Sequence, residues 1–207
     1  TIYYTNMSFF EENPITIFEN IKSLLANGAK DRTHAFHTPV FSNNIENNLT
    51  ESRVVVLRKF DENLLKLNFH TDMRSPKIKS LLKNYNSFFV FYDPKIKIQL
   101  RIKTQSIVNN KNNVTKISWE QTRLFSRKCY LTKKAPSSVT NIPEDGISIH
   151  LKGVDPSKDE SEEGYNNFAV IENQILNIDW LYLNASGHRR LNINLEGLKN
   201  IYNWLIP

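Results

Sequence analysis

The chain has one cysteine, Cys129, among 207 residues, so it cannot close an internal disulfide, which suits a reducing cytoplasm. No apolar run approaches the roughly 18 residues that a membrane helix needs, and no signal-peptide pattern opens the sequence. A cytoplasmic protein without a membrane span is therefore expected. Zinc and RNA-binding signatures are missing, and no helix is basic along one face. The net charge of +6 is spread over scattered Lys and Arg residues, and reads as a solvated basic surface around a small anionic ligand, with no nucleic acid as partner. His34 and His37 lie three apart with no acidic or cysteine neighbour, and His150 and His188 add no ligand set, so no metal site is expected. Internal repeats are absent as well.

What is present is an ordinary globular composition, 40% apolar and 23% charged, at a length that fits one domain over 1–207 with an N-terminal helical arm at about 12–28. Such a chain buries roughly 70% of its unfolded surface, enough for a core without staples. Asn13-Pro14 followed by Ile15, Phe18, Ile21, Leu24 and Leu25 predicts a capped amphipathic helix that Gly28 ends. Apolar and β-branched runs predict strands around 36–42, 53–60, 64–70, 87–93 and 96–108, with a hairpin turn at Asp61-Glu62-Asn63. Ser75-Pro76 predicts the cap of a short helix over 76–84. Beyond the polar turn at 109–113, a strand is expected over Val114–Ser118 and a helix from Trp119 to about Tyr130. Asp155–Glu163 reads as a mobile loop. Phe168–Ile171, Ile175–Asn184 and Arg189–Asn194 read as closing strands, and Leu195–Trp204 as a final helix. Strands dominate the middle, and short antiparallel connections replace βαβ alternation. The pattern is a mainly β fold, an antiparallel β-barrel with flanking helices.

One region carries chemistry. Arg53-Val54-Val55-Val56-Leu57-Arg58 is an apolar run bounded by two guanidinium groups. His70-Thr71-Asp72-Met73-Arg74-Ser75-Pro76-Lys77 follows, and Gln99 comes later. A helix N-terminus offers free N–H groups and partial positive charge to a phosphate, and Arg74, Ser75, Thr71 and Lys77 flank one. Arg53 and Arg58 are an odd number of residues apart, so an unbroken strand would place them on opposite faces. Both can serve one elongated ligand only if a bulge or strand end intervenes.

The ordered set Arg53…Leu57-Arg58, His70-Thr71, Ser75-x-Lys77 and Gln99 resembles the pyridoxamine 5'-phosphate oxidase-like family, over most of 35–207. The resemblance is to its less characterised branch, in which a helix beginning with Trp (Trp119) precedes an Arg/Tyr/Pro segment and the chain often ends in a Trp…Pro tail (Trp204, Pro207). It implies an FMN-binding split barrel, a homodimer with FMN at the subunit interface, and an FMN-dependent oxidoreductase acting on a small-molecule substrate or electron donor. By the same resemblance, Arg53 and the backbone of Val54, Val55 and Val56 would lie along the cofactor. Arg58 would sit by the ring, where a cation favours the reduced, anionic form. His70, Thr71, Ser75 and Lys77 would hold the phosphate, with Arg74 replacing a charge lost where Pro76 stands. Gln99 would reach the flavin from the partner subunit or the opposite strand, and Trp119 and Trp180 would border it.

The substrate end departs from the family. Tyr130, Lys134 and Ser138 keep the i, i+4, i+8 spacing that holds the vitamin phosphate in the oxidases, with Lys where they have Arg. Arg190 is kept, but Asn192 and Asn194 stand where the oxidases have His and Arg. Losing an imidazole and a guanidinium removes both charge and geometry from a phosphorylated-vitamin site. Three classes stay open: an FMN-dependent oxidoreductase of another substrate, a pyridoxamine/pyridoxine 5'-phosphate oxidase with an altered site, and a flavin- or haem-binding module without turnover.

Overall fold

A computed structural model describes residues 12–207, so the first eleven residues of the expected 1–207 domain lie outside the described residues. Among the described residues, nine antiparallel strands with flanking helices form a split barrel. The first helix, α1 (Pro14–Lys30), starts where expected: the Asn13 side chain accepts from the amides of Ile15 and Thr16, and Pro14 occupies the first turn. It buries Ile17, Phe18, Ile21, Leu24 and Leu25. Gly28 does not end it but lies inside it, because the helix packs backbone-close on the turn at Ala35–His37. A Cβ at Gly28 would meet Phe36 Cβ at 2.7 Å. His37, in that turn, donates from Nδ1 to the Gly28 carbonyl at 2.7 Å and fixes the approach.

The strands are β1 (Val40–Asn44), β2 (Thr50–Val54), β3 (Lys59–Asp61), β4 (Lys66–Asp72), β5 (Asn86–Asp93), β6 (Ile98–Asn109), β7 (Phe168–Tyr182), β8 (Arg189–Asn194) and β9 (Ile201–Leu205). The order is β2-β1-β5-β6-β7-β4-β3, with β8 on β7 and β9 on β8. Two expected closing strands are one 15-residue strand, β7, and it makes the split. Its first half pairs with β4 and its second half with β8, while β6 runs beside both. The register with β6 shifts at Lys103/Thr104, where the Leu176 carbonyl turns away to accept from Leu195.

The expected strand over 53–60 is broken. Strand β2 ends at Val54 and β3 begins at Lys59, and the residues between form the seam of the barrel. Val55 donates its amide to Pro39, Leu57 to His37 and Arg58 to Asn68, at 3.0, 2.9 and 2.8 Å. The first two anchors lie just before β1 and the third lies in β4, so these bonds join the two ends of the curled sheet. Phe41, Phe69 and Phe89, from β1, β4 and β5, meet inside, with Phe41–Phe69 centroids 4.8 Å apart. Helix α2 (Pro76–Lys83) closes one end of this core with Ile78 and Leu81.

Other expectations are corrected. Residues 113–121 form helix α3 (Asn113–Gln121) and no strand. A reciprocal cap, Thr115 N–H to Asn112 Oδ1 and Asn112 N–H to Thr115 Oγ1, outweighs the β-branched composition. The helix expected from Trp119 to Tyr130 breaks at Thr122 into α3, the short α4 (Leu124–Arg127) and a 3₁₀ turn. The expected loop at 155–163 holds α5 (Lys158–Glu162), capped by Ser157. The final segment is strand β9, whose Trp204 pairs with Leu191 across a turn at 195–200. Helices α3 to α5 cover the outer face of β4 and β7, where Trp119, Tyr130, Phe168 and Val170 form a second, smaller core.

Candidate functional site

Strand β4 alternates, and that alternation divides the candidate residues. Leu67 and Phe69 point into the main core, and Thr71 shares their face. His70 points to the other side, its ring edge-on to Phe168 at 4.8 Å in the second core. Two adjacent residues thus serve two different places.

The first is a polar node at the start of α2. Lys77 Nζ donates to Thr71 Oγ1 at 3.0 Å and to Ser75 Oγ at 2.7 Å. Ser75 is the N-cap residue, yet its hydroxyl makes no cap bond and turns to Lys77 instead. No carboxylate of the described residues lies within ion-pair distance of Lys77. Burial first, then the Arg53 guanidinium, hold the Lys77 ammonium below its ordinary pKa, with Glu51 and Asp72 opposing the shift. Arg53 therefore stands within electrostatic reach of Lys77. It lies over the Phe41 ring and donates to Asn43 and Glu51, its neighbours on β1 and β2. Val54 is exposed, and Val55 and Val56 are half-buried on the seam.

The second node lies on the outer face. His70 is pushed down to about 3, by burial first and then by Arg58, so the ring is neutral. The Tyr130 hydroxyl is raised above its ordinary range, by burial and then by Cys129, while Arg58 pulls it the other way. Arg58 thus lies within electrostatic reach of both rings, and it is exposed. Asn68, two residues from His70 on the same face, has a buried side-chain oxygen that accepts no bond from the described residues. The seam is what lets Arg53 and Arg58 flank both nodes: the strand ends between them, so the parity of an unbroken strand does not apply.

Arg74 joins neither node. Its guanidinium donates to Asp72 Oδ1 and Oδ2 at 3.0 and 2.7 Å and to the Thr132 carbonyl at 2.8 Å, and so ties the turn before α2 to the covering helices. Gln99 lies on β6 opposite Tyr92 and Leu181, on the side away from buried Ile98 and Leu100, and hence away from the face of Thr71. Among the expected substrate residues, Tyr130 packs on Trp119 and Phe168. Trp119 also lies in the second core, and Trp180 lies in the main core. Lys134 pairs with Glu144 at the surface, and Ser138 is exposed. Arg190 donates to Asp179 at 3.1 and 2.8 Å, and Asp179 also binds Arg101. Burial alone would raise the Asp179 carboxyl, but its bonds to Arg190 and Arg101 outweigh this and lower it. Asn192 exchanges amide bonds with Asn177 at 2.9 and 3.0 Å.

Sequence reading missed the residues that hold the others. Glu51 and Asp72 each precede an arginine by two positions, which puts carboxylate and guanidinium on one side of the chain, a signal that was legible. Arg127 was not. Its buried guanidinium stands 4.4 Å over Trp119 and donates to the Thr122 and Trp119 carbonyls, Ser161 and Glu162. Those partners come from separate segments that only the fold assembles.

Residues 19–110 match the family model described as pyridoxamine 5'-phosphate oxidase, FMN-binding domain. The match contains every residue of both nodes except Tyr130. No curated protein matches the sequence. Among solved structures, the fold is similar to that of a pyridoxamine 5'-phosphate oxidase-related, FMN binding protein from Nostoc punctiforme. That similarity has a TM-score of 0.73 at 16% identity, covering 92% of this chain and 97% of that one. It is also similar to PhzG from Burkholderia lata, solved with tetrahydrophenazine-1-carboxylic acid, with a TM-score of 0.69 at 15% identity, covering 95% of this chain and 94% of that one. Residues 19–110 are thus similar to the FMN-binding domain of pyridoxamine 5'-phosphate oxidase, and the fold is shared with both structures.

Proposed function

We propose that this protein binds FMN and works as an FMN-dependent oxidoreductase on a small-molecule substrate that is not a phosphorylated vitamin. The observation that carries the reading is the Lys77 ammonium, set between two hydroxyls at a helix start with no carboxylate of the described residues paired to it. That is the chemistry a phosphate monoester needs. The residues present fit the cofactor. Lys77, Ser75, Thr71 and Arg53 would hold its phosphate. Arg58, neutral His70 and the unpartnered Asn68 oxygen would hold its ring, offering a cation, an imidazole and an acceptor. When bound, FMN supplies hydride and electron transfer, so no acid–base side chain is required. Burial keeps His70 and Tyr130 uncharged, and neither competes with Arg58 for an anion. Arg74 holds the Asp72 carboxylate, which keeps a negative charge from turning toward the phosphate.

The substrate end supports the departure from the vitamin oxidases. Arg190 is held by Asp179, and Asn192 by Asn177, so both are already engaged within the chain. Gln99 lies on the outer sheet face, and it would reach a flavin of a partner subunit, which is the homodimer reading. A pocketed flavin without turnover is the second reading, favoured by the same engaged side chains. The test is the flavin absorbance spectrum of the protein dialysed after loading with FMN, followed by anaerobic addition of NADH, NADPH and pyridoxamine 5'-phosphate. Retained flavin at one per subunit, bleached by a nicotinamide donor but not by the vitamin, is the expected result. Failure to retain flavin would sink the proposal. Retained flavin that no donor bleaches would leave the binding module, and turnover of the vitamin would restore a vitamin oxidase.

A further inference from the structure

The polar node holds one group that works against it. On β2, Glu51 and Arg53 share a face, and the Glu51 carboxylate binds Arg53 Nη2 while Asn43 binds Nη1. The two partners differ. Asn43 is buried, lies opposite Glu51 in the β1–β2 register and fixes the guanidinium from below. Glu51 is 54% exposed at the rim and can swing into water without opening the core. A phosphate monoester brings a charge of about −1.5 to −2 at neutral pH. Arg53 and Lys77 answer it with two positive charges, and Glu51 cancels one of them.

Resting on the FMN reading, we infer that Glu51 is a displaceable internal counter-ion of the phosphate node, which holds Arg53 until a phosphate monoester replaces it and thereby sets the affinity of the site. Asn43 keeps Arg53 in place after the exchange, so Glu51 is not needed for position. Glu51 also acts on Lys77 through space, which places its carboxylate against the whole node and not against Arg53 alone. A site built this way releases weakly charged anions and retains those whose charge outcompetes a carboxylate.

The test uses E51Q, which removes the charge and keeps a side-chain oxygen to accept from Arg53. Binding of FMN and riboflavin is followed by quenching of flavin fluorescence, and binding of inorganic phosphate by the shift in thermal midpoint. E51Q is expected to bind FMN and inorganic phosphate roughly tenfold more tightly than wild type, the size of one partly screened charge pair, and riboflavin equally. Unchanged or weaker binding of both phosphate probes overturns the inference, and so does an equal gain for riboflavin. Wild type that binds inorganic phosphate but not FMN removes the FMN reading, while a gain for phosphate in E51Q still upholds the role of Glu51. If neither protein binds either probe, both conclusions fall.

Discussion

The two faces of β4 are built for different ends. On the inner face, Thr71 meets Ser75 and Lys77 in a node where the ammonium is within ion-pair distance of no carboxylate among the described residues. On the outer face, His70 joins Trp119, Tyr130 and Phe168 in an aromatic cluster where Arg127 has a partner for every nitrogen. The difference lies in whether charge is satisfied. A buried guanidinium with every nitrogen engaged holds the fold together. An ammonium between hydroxyls, destabilised by burial, is a group waiting for an anion. Substitutions in the aromatic cluster around Trp119 should therefore cost stability, and substitutions at the Lys77 node should cost binding.

The sharpest separation comes from Trp119→Ala, which empties the second core. Unfolding by urea should show a loss of about 3–5 kcal/mol, while FMN affinity at temperatures where the variant stays folded should change little. Lys77→Met is its counterpart. FMN binding should weaken roughly 100-fold, equivalent to about 2.7 kcal/mol, with the thermal midpoint of the free protein held or raised. The sign follows from the lowered Lys77 pKa: the charged form is disfavoured in the fold, so that penalty is present at neutral pH and fades as pH rises through the lowered pKa. A drop in stability matching the drop in binding would break the comparison.

A third prediction concerns pH. His70 is neutral in the fold, pushed down to about 3, while in the unfolded chain it titrates near its ordinary 6.5. Below 6.5 the unfolded chain binds the additional proton, so stability falls as pH drops from 6.5 toward 3, by roughly 2 kcal/mol near pH 5. Urea unfolding of His70→Gln across that range should show a shallower decline. An identical slope would mean that His70 is hydrated in the native state. The smallest effect should be at Lys134, paired with Glu144 on the surface. Lys134→Ala is expected to change stability by less than about 0.5 kcal/mol and to leave FMN affinity as it was, and a large loss of affinity would move the site toward residues 133–152.

Much of this arrangement was legible in the sequence. Asn13-Pro14 announces helix α1 by its side-chain cap and Ser75-Pro76 announces α2 by a proline in the first turn, and the alternating strands β5 and β6 announce themselves by burial on one face. The seam between Val54 and Lys59 was not legible, since Val55 to Leu57 have strand-like side chains and only their bonds to Pro39 and His37 show the break. Asn112 overrode three apolar or β-branched residues, Val114, Thr115 and Ile117, by capping, which a count of propensities does not register. At the site, Lys77, Ser75 and Thr71 stood close in sequence and came together in space. Arg74 looked like one of them, but Asp72, two residues before it, and Thr132, far along the chain, hold it elsewhere.

The claim that the Lys77 node receives the phosphate of a flavin is met most directly by titrating the protein with FMN and with riboflavin in parallel, under quenching of flavin fluorescence. The two ligands differ by the phosphate alone. The account predicts FMN tighter by at least about 100-fold, with that advantage lost in Lys77→Met. Equal affinities, or an advantage that survives the loss of Lys77, would contradict it.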